Sequence, residues 1–579
     1  MNIHYTVSML RPETHRFHVS IAVSGWEAAT ATLVMPSWIP GSYLIRDFAR
    51  HVENFDVHDG SHSPVEWERR DKDSWEVKTE GKAFFRVTYE VYANELSVRT
   101  SHLDDSHGYF NGPNILMYVE GHLEQPVTLS IRKPATWQSS IALPKDRQGN
   151  YVAENYDRLA DSPAEIGTHR LYEFEALGKP HQIAIWGHGN EDGEQYTSDV
   201  KRIVETTAQM FGDELPYDRY LFILHLSDNL RGGLEHKDST TIHADRWTFK
   251  PRNSYLNLLR LTAHEFFHTW HVKRIRPHNL GPFDYTKEVY TPLLWVMEGF
   301  TSYYDHLLMR RADLMSVEEA LGWWGDRIGL YVRQPGRHVQ SVEESSLTTW
   351  IKYYRQDENY VNSGISYYLK GALVGLLLDL NIRHWSQNER SLDTVMARLW
   401  EDARASDDGF TLTEFEALLN DVAGRDLGEF LERFVRGVEE IPLSEAFALA
   451  GLQINSSFKD ETPRAWIGIR YLEREGHLRL THVLRDTPAE QSGLMVDDTL
   501  LAIDGFEVRS EAFLAARLRG RKVGDTITLH LFRRGRLVEK QVALATANPD
   551  HVELTRIEQP TALQQAIYAS WLAAPWPGA

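Results

Sequence analysis

The alternation of apolar and polar positions changes character twice along the chain, and the changes mark out its organisation. Up to about residue 165 the period is two. Phe17-His18-Val19-Ser20-Ile21-Ala22-Val23 and Phe84-Phe85-Arg86-Val87-Thr88-Tyr89-Glu90-Val91-Tyr92 read as half-buried strands, separated by Gly, Pro and Asp clusters. This predicts a β-sandwich-like domain over residues 1–168. From 169 to 455 the pattern is mixed and then helical. Strands are predicted near Ile183–Trp186 and Leu221–Leu226, and helices over Val317–Tyr331, Tyr367–Arg383, Leu392–Ala403 and Leu412–Leu419. The polar stretch Arg333–Asn362, opened by Pro335-Gly336, is predicted as a loop. Near Ala465 strands return, from Trp466-Ile467-Gly468-Ile469 to a final one over Thr526–Phe532. Residues 547–579 are expected to form a tail whose apolar patch, Ala562–Ala573, docks on the body. The fold class is multidomain α+β.

One helical stretch carries chemistry. Asn253 and Ser254 suit its cap, and Tyr255, Leu258, Leu259, Phe266 and Trp270 recur at helical spacing. Pro277 closes it after the basic run Lys273-Arg274-Ile275-Arg276. Within it lies His264-Glu265-Phe266-Phe267-His268. Two histidines four apart sit one turn from each other on one helix face and can share a zinc ion, with Glu265 beside them to handle a water. The competing reading is an amphipathic helix with two packed or surface histidines. Zinc needs a third protein ligand and an open position. In the apolar segment Thr291–Tyr304, Glu298 is the one acidic residue, flanked by Trp295, Val296, Met297 and Phe300. A carboxylate there is costly unless paired or bound to metal, which makes Glu298 the expected third ligand rather than a helix-surface glutamate.

These two segments resemble the gluzincins, zinc peptidases with H-E-x-x-H on one helix and a glutamate ligand on the next. The text from His264 to Pro277, and Glu298-Gly299-Phe300-Thr301-Ser302-Tyr303-Tyr304, is similar to the glycyl aminopeptidase family. The resemblance implies a thermolysin/aminopeptidase N-like catalytic domain with a helical region over 169–455. Pro36-Ser37-Trp38-Ile39-Pro40-Gly41-Ser42-Tyr43 looks like the family's amino-terminal domain, although Trp38–Gly41 also reads as a plain structural corner.

Two further roles come with the resemblance. Arg231-Gly232-Gly233-Leu234-Glu235-His236 stands where aminopeptidase N carries Gly-x-Met-Glu-Asn, with histidine for asparagine as in the glycyl group. Gly232 and Gly233 would then lie along the substrate backbone and Glu235 would bind the free α-ammonium; a glycine turn with an exposed glutamate is the alternative. Tyr367-Tyr368-Leu369-Lys370-Gly371-Ala372 stands where aminopeptidase N-like enzymes have Tyr-Glu-Lys-Gly. Register gives Tyr368 the oxyanion-donating role, with Tyr367 as competitor. The implied catalytic set is one zinc on His264, His268 and Glu298, with Glu265 and Tyr368 as catalytic residues. Residues 462–546, including Asp486-Thr487-Pro488 and Asp497-Asp498-Thr499, look like a PDZ domain. Ile467-Gly468-Ile469 would offer backbone amides to a peptide or protein C-terminus; a PDZ fold kept for packing or gating is the alternative.

Composition narrows the classes. A formal charge of −20 argues against nucleic acid and anionic membranes as partners, and the absence of cysteine excludes disulfides and thiolate metal sites. The first ten residues lack a basic region and a long apolar core, and no run of about twenty apolar residues occurs, so a cytoplasmic protein is expected. The function expected is a zinc aminopeptidase acting on peptides with small N-terminal residues, Gly or Ala by resemblance. The alternatives are a zinc endopeptidase and a PDZ-based peptide-binding scaffold without activity. A scaffold has no need of Glu265.

Overall fold

The computed structural model describes residues 1–458 and 464–577. Residues 462 and 463, with which the expected PDZ domain opens, and the last two of the tail lie outside that range. The chain forms two compact units: 1–291 with 304–315 and 393–415, and 292–303 with 316–392 and 416–579.

In the first unit, the amino-terminal part is built on a six-stranded sheet. Its order is Tyr151–Ala153, Val127–Arg132, Asn2–Ser8, Arg16–Ser24, Phe84–Tyr92 and Val52–Asp59. The period-two reading is realised: Phe17, Val19, Ile21 and Val23 are buried, as are Phe85, Val87, Tyr89 and Val91. Two four-stranded sheets accompany it, one of them Gln138–Ile141, Ala164–Gly167, His107–Phe110 and His102–Leu103.

The other part of this unit centres on a five-stranded mixed sheet. Its order is Arg170–Ala176, Lys179–Gly187, Tyr220–Ser227, Ser239–Asp245 and Gly232–Glu235. The three inner strands run parallel, and Tyr220–Leu226 is buried throughout, as parallel strands covered on both faces require. Gly232–Glu235 is an edge strand, paired antiparallel on one side only among the described residues. The histidine helix runs Arg252–Phe267, which corrects both expected ends. It starts after Pro251 rather than at Asn253 or Ser254. It stops at Phe267, and the basic run that follows is a turn, with Arg274 bound to the carbonyls of Thr269, Lys237 and Pro216 and to Asp238.

In the second unit, Tyr367–Trp385 is buried along nearly its whole length, which suits a helix apolar all round. Ser366 caps it by accepting from the Leu369 amide. The stretch Tyr360–Trp385 meets the length and composition of a bilayer span, yet 78% of its apolar window is buried inside the protein. Residues 333–362 are not the plain loop expected. They hold a 3₁₀ turn, Pro335–His338, and helices Val342–Leu347 and Tyr360–Ser363. Ser341, which accepts from the Glu344 amide, is the cap signal that polarity concealed.

The carboxy-terminal sheet orders Ile469–Arg474, His477–Val483, Thr499–Ile503, Thr526–Arg533 and Arg536–Ala543 over a core of Leu478, Leu480, Leu500, Ile503, Ile527 and Leu529. Arg536–Ala543, a strand beyond the one expected to be last, is mostly exposed and so has no apolar period to read. Leu452–Ser457 pairs with His551–Arg556, joining the chain on either side of this module. The tail is part of the unit: helix Ala562–Leu572 buries Ile567, Tyr568 and Trp571, and Trp571 Nε1 donates to Tyr303 Oη at 3.0 Å.

Candidate active site

In the first unit, His264 lies in the last turn of Arg252–Phe267, and His268 directly follows with helical dihedrals. Both rings are buried. His264 Nδ1 is 3.0 Å from Asp305 Oδ2, and the same oxygen accepts from Arg260 Nη1 at 2.8 Å. His268 Nδ1 is 2.7 Å from the carbonyl oxygen of His271, brought there by the turn after the helix. Carboxylate and carbonyl oxygens only accept, so each Nδ1 carries a proton, and in the neutral ring Nε2 carries the lone pair. Two Nε2 lone pairs one helical turn apart, with Nδ1 held by oxygen acceptors, are a donor set that fits a divalent metal.

The edge strand stands beside this pair. Glu235, Glu265 and His268 offer ligand atoms within 4.8 Å of one another, all three buried. A β-carbon on Gly233 would lie 1.9 Å from Glu265 Oε1, so any larger residue there would have to displace the Glu265 side chain. Gly232 opens the strand, opposite His243. Glu235 is 5% exposed, which excludes the exposed glycine-turn reading. A β-carbon on Gly41 would lie 2.6 Å from Glu235 Oε1. The Trp38–Gly41 corner therefore borders the candidate ammonium site. Next to Glu235, His236 Nδ1 is 3.1 Å from Asp161, which also takes Lys273 Nζ at 2.7 Å. Burial opposes ionisation of Asp161, but Lys273 and His236 outweigh it and hold that carboxyl below the usual range.

In the second unit, Glu298 is buried in the apolar helix Leu294–Arg311. On this helix it stands seven residues before Asp305, two turns along the same face. The helix crosses Tyr367–Trp385 at paired glycines: a β-carbon on Gly299 would lie 2.6 Å from Gly371 Cα. That crossing brings the flanking Glu298 and Tyr368 into one neighbourhood. Burial, and then the charge of Glu298, push the Tyr368 phenol well above its ordinary pKa, so it stays a hydrogen-bond donor at neutral pH. Tyr367 is fully buried and accepts from Thr349 Oγ1 at 3.0 Å, whereas Tyr368 keeps partial exposure.

The Peptidase M61 N-terminal domain matches residues 4–168, M61 glycyl aminopeptidase matches 257–374, and a PDZ domain matches 465–544. A crystal structure of an aminopeptidase N family protein from Idiomarina loihiensis is 31% identical, with a TM-score of 0.92 over 98% of this chain and 100% of that one. The chain belongs to the M61 glycyl aminopeptidase family. It is a metallopeptidase hydrolase of the aminopeptidase kind. Two structures of an M1 zinc metallopeptidase from Deinococcus radiodurans, one a mutant, are 14% and 15% identical, with TM-scores of 0.49 and 0.47. Each covers 76% of this chain, and 95% and 94% of its own. No curated protein matches the chain.

Three features escaped the sequence reading. Asp305 lies seven residues after Glu298, and no spacing rule in the sequence ties it to His264. The His271 carbonyl depends on a turn that was read as helix. Gly41 lies nearly two hundred residues from Glu235, and no local pattern links them.

Proposed function

We propose that this metallopeptidase uses one zinc ion, held by His264, His268 and Glu298, to release small residues such as glycine or alanine from the free amino end of peptides. The observation that carries the zinc assignment is the use of Nδ1 on both helix histidines, 3.0 Å from Asp305 and 2.7 Å from the His271 carbonyl, which leaves both Nε2 atoms as ligands. When bound, the ion supplies Lewis-acid chemistry, acidifying water and polarising the scissile carbonyl.

The chain's own residues do the rest. Glu265 takes the proton of the attacking water and returns it to the leaving amine. Tyr368 donates its phenol hydrogen to the oxyanion that develops on the scissile carbonyl. The Gly232–Glu235 edge has a free side where an extended peptide adds as a strand, and Glu235 pairs with its α-ammonium. The family's description as glycyl aminopeptidase and the closeness of Gly41 to Glu235 support a preference for small residues. In the PDZ module the proposed ligand is a peptide or protein C-terminus at Ile467-Gly468-Ile469.

The test is hydrolysis of an alanyl peptide and its N-acetylated twin, with chelator and after zinc return. The expected result is cleavage of the free-amine peptide alone, lost on chelation and restored by zinc. Equal cleavage of both would replace the aminopeptidase reading with an endopeptidase. Activity that survives full metal removal would end the zinc mechanism.

A further inference from the structure

Away from the histidine helix, the first unit gathers a second set of ligating side chains. His107 lies on strand His107–Phe110, Glu165 on the neighbouring Ala164–Gly167, and His225 on Tyr220–Ser227 of the five-stranded sheet. All three are fully buried. His107 Nδ1 is 3.1 Å from Glu165 Oε1, and His225 Nε2 is 2.9 Å from Glu165 Oε2. One ligand atom from each lies within 4.8 Å of the others. His169 is also buried, and its Nδ1 has no hydrogen-bond partner while standing 3.7 Å from Glu165 Oε1.

We propose that His107, Glu165 and His225 form a second metal site, for a zinc-class divalent ion, with the buried His169 beside it. Ligands bound at 2.0–2.1 Å in a tetrahedral site stand about 3.3 Å from one another, and the distances of 2.9 and 3.1 Å from Glu165 lie close to that figure. Imidazoles with one carboxylate select a zinc-like ion over calcium or magnesium.

The outer nitrogens are also provided for. His107 Nε2 is 2.9 Å from His102 Nδ1, and His225 Nδ1 is 2.9 Å from His243 Nε2. When the ion takes Nδ1 of His107 and Nε2 of His225, each displaced proton moves to the opposite ring nitrogen. It is donated there to the outer histidine, whose own proton shifts to its far nitrogen. No net proton is released while Glu165 stays ionised. Trp186 stacks on His107 at 3.6 Å between ring centroids and closes one wall, while partly exposed His102 and Asp104 flank it towards solvent. Because His107 and Glu165 come from the amino-terminal strands and His225 from the five-stranded sheet, the ion would act as a structural clasp within this unit.

The test is zinc content by elemental analysis of full-length protein, loaded with zinc and passed through a desalting column. The variant His264→Ala/His268→Ala is expected to retain one equivalent, and adding His225→Ala is expected to remove it. No zinc in the double variant would overturn the proposal. So would zinc that persists after His225→Ala. If the triple variant does not fold, His107→Gln on the double background replaces it. A cobalt-loaded double variant is then read by its visible spectrum: a ligand-field band that His107→Gln abolishes supports the site, and an unchanged band rejects it. Because these readouts use protein without the helix histidines, their outcome is separate from that of the catalytic reading.

Discussion

The two histidine pairs, His264 with His268 and His107 with His225, are built in opposite ways. The first comes from one helix with a spacing of four, and its Nδ1 atoms are bound by an aspartate and a carbonyl. The second comes from strands more than a hundred residues apart, and both nitrogens of each ring meet another titratable group. A local pair with fixed tautomers and Nε2 lone pairs is suited to chemistry beside a substrate edge. A pair assembled by the fold around a fully buried carboxylate is suited to holding strands together. Position relative to the outer acceptors separates the roles, and residue type does not.

The sharpest way to break this contrast is Glu265→Gln, which removes proton transfer while leaving every proposed ligand in place. Steady-state assay on an alanyl peptide should show kcat lowered by about 10²–10⁴-fold with zinc content unchanged. A variant that keeps near-native kcat would show that the helix pair is not the reacting centre. Tyr368→Phe is expected next, with kcat down about 10²–10³-fold and KM little altered. Tyr367→Phe instead loses its hydrogen bond to Thr349 and should cost about 1 kcal/mol in unfolding experiments. Equal kinetic losses from both would contradict the assignment between the tyrosines.

Asp305→Asn probes the acceptor that fixes His264. Zinc affinity by competition with a chromophoric chelator should fall about 10–100-fold. Unchanged affinity would mean that the tautomer lock adds nothing. Lys370 is a control outside both pairs, fully buried, with its pKa pulled down to about 8 by burial against the pull of Glu440. Below pH 8 the lysine is charged in both folded and unfolded protein, and the whole cost of burying that charge is felt. Between pH 8 and 10.5 the folded protein sheds the proton first, so the cost fades. Lys370→Met should therefore stabilise the protein at pH 7, by at most about 3 kcal/mol, and progressively less towards pH 10.5 in denaturant melts. A gain that grows with pH would reverse the sign of the argument.

These residues also show what the chain discloses before folding. His264, Glu265 and His268 stand out as candidates because helical spacing is local, and Glu298 because a lone carboxylate among Trp295, Val296, Met297 and Phe300 is conspicuous. The sheet and helix plan followed from periods of two and 3.6 wherever one face is buried. It failed at Arg536–Ala543, which is too exposed to show a period, and at 342–347, where Ser341 was not weighed as a cap. Asp305 and Gly41 needed the third dimension. So did the cluster around Glu165, whose members are separated by tens of residues and carry no spacing rule. Even the histidine helix stops nine residues short of Arg276, because the basic turn after Phe267 imitates a helix end.

The most direct test of the contrast is an anomalous difference map at the zinc edge from crystals of zinc-loaded protein. A peak bonded to Nε2 of both His264 and His268 is predicted, together with a separate one among His107, Glu165 and His225. Full zinc occupancy elsewhere, with no peak at the helix pair, would contradict the account.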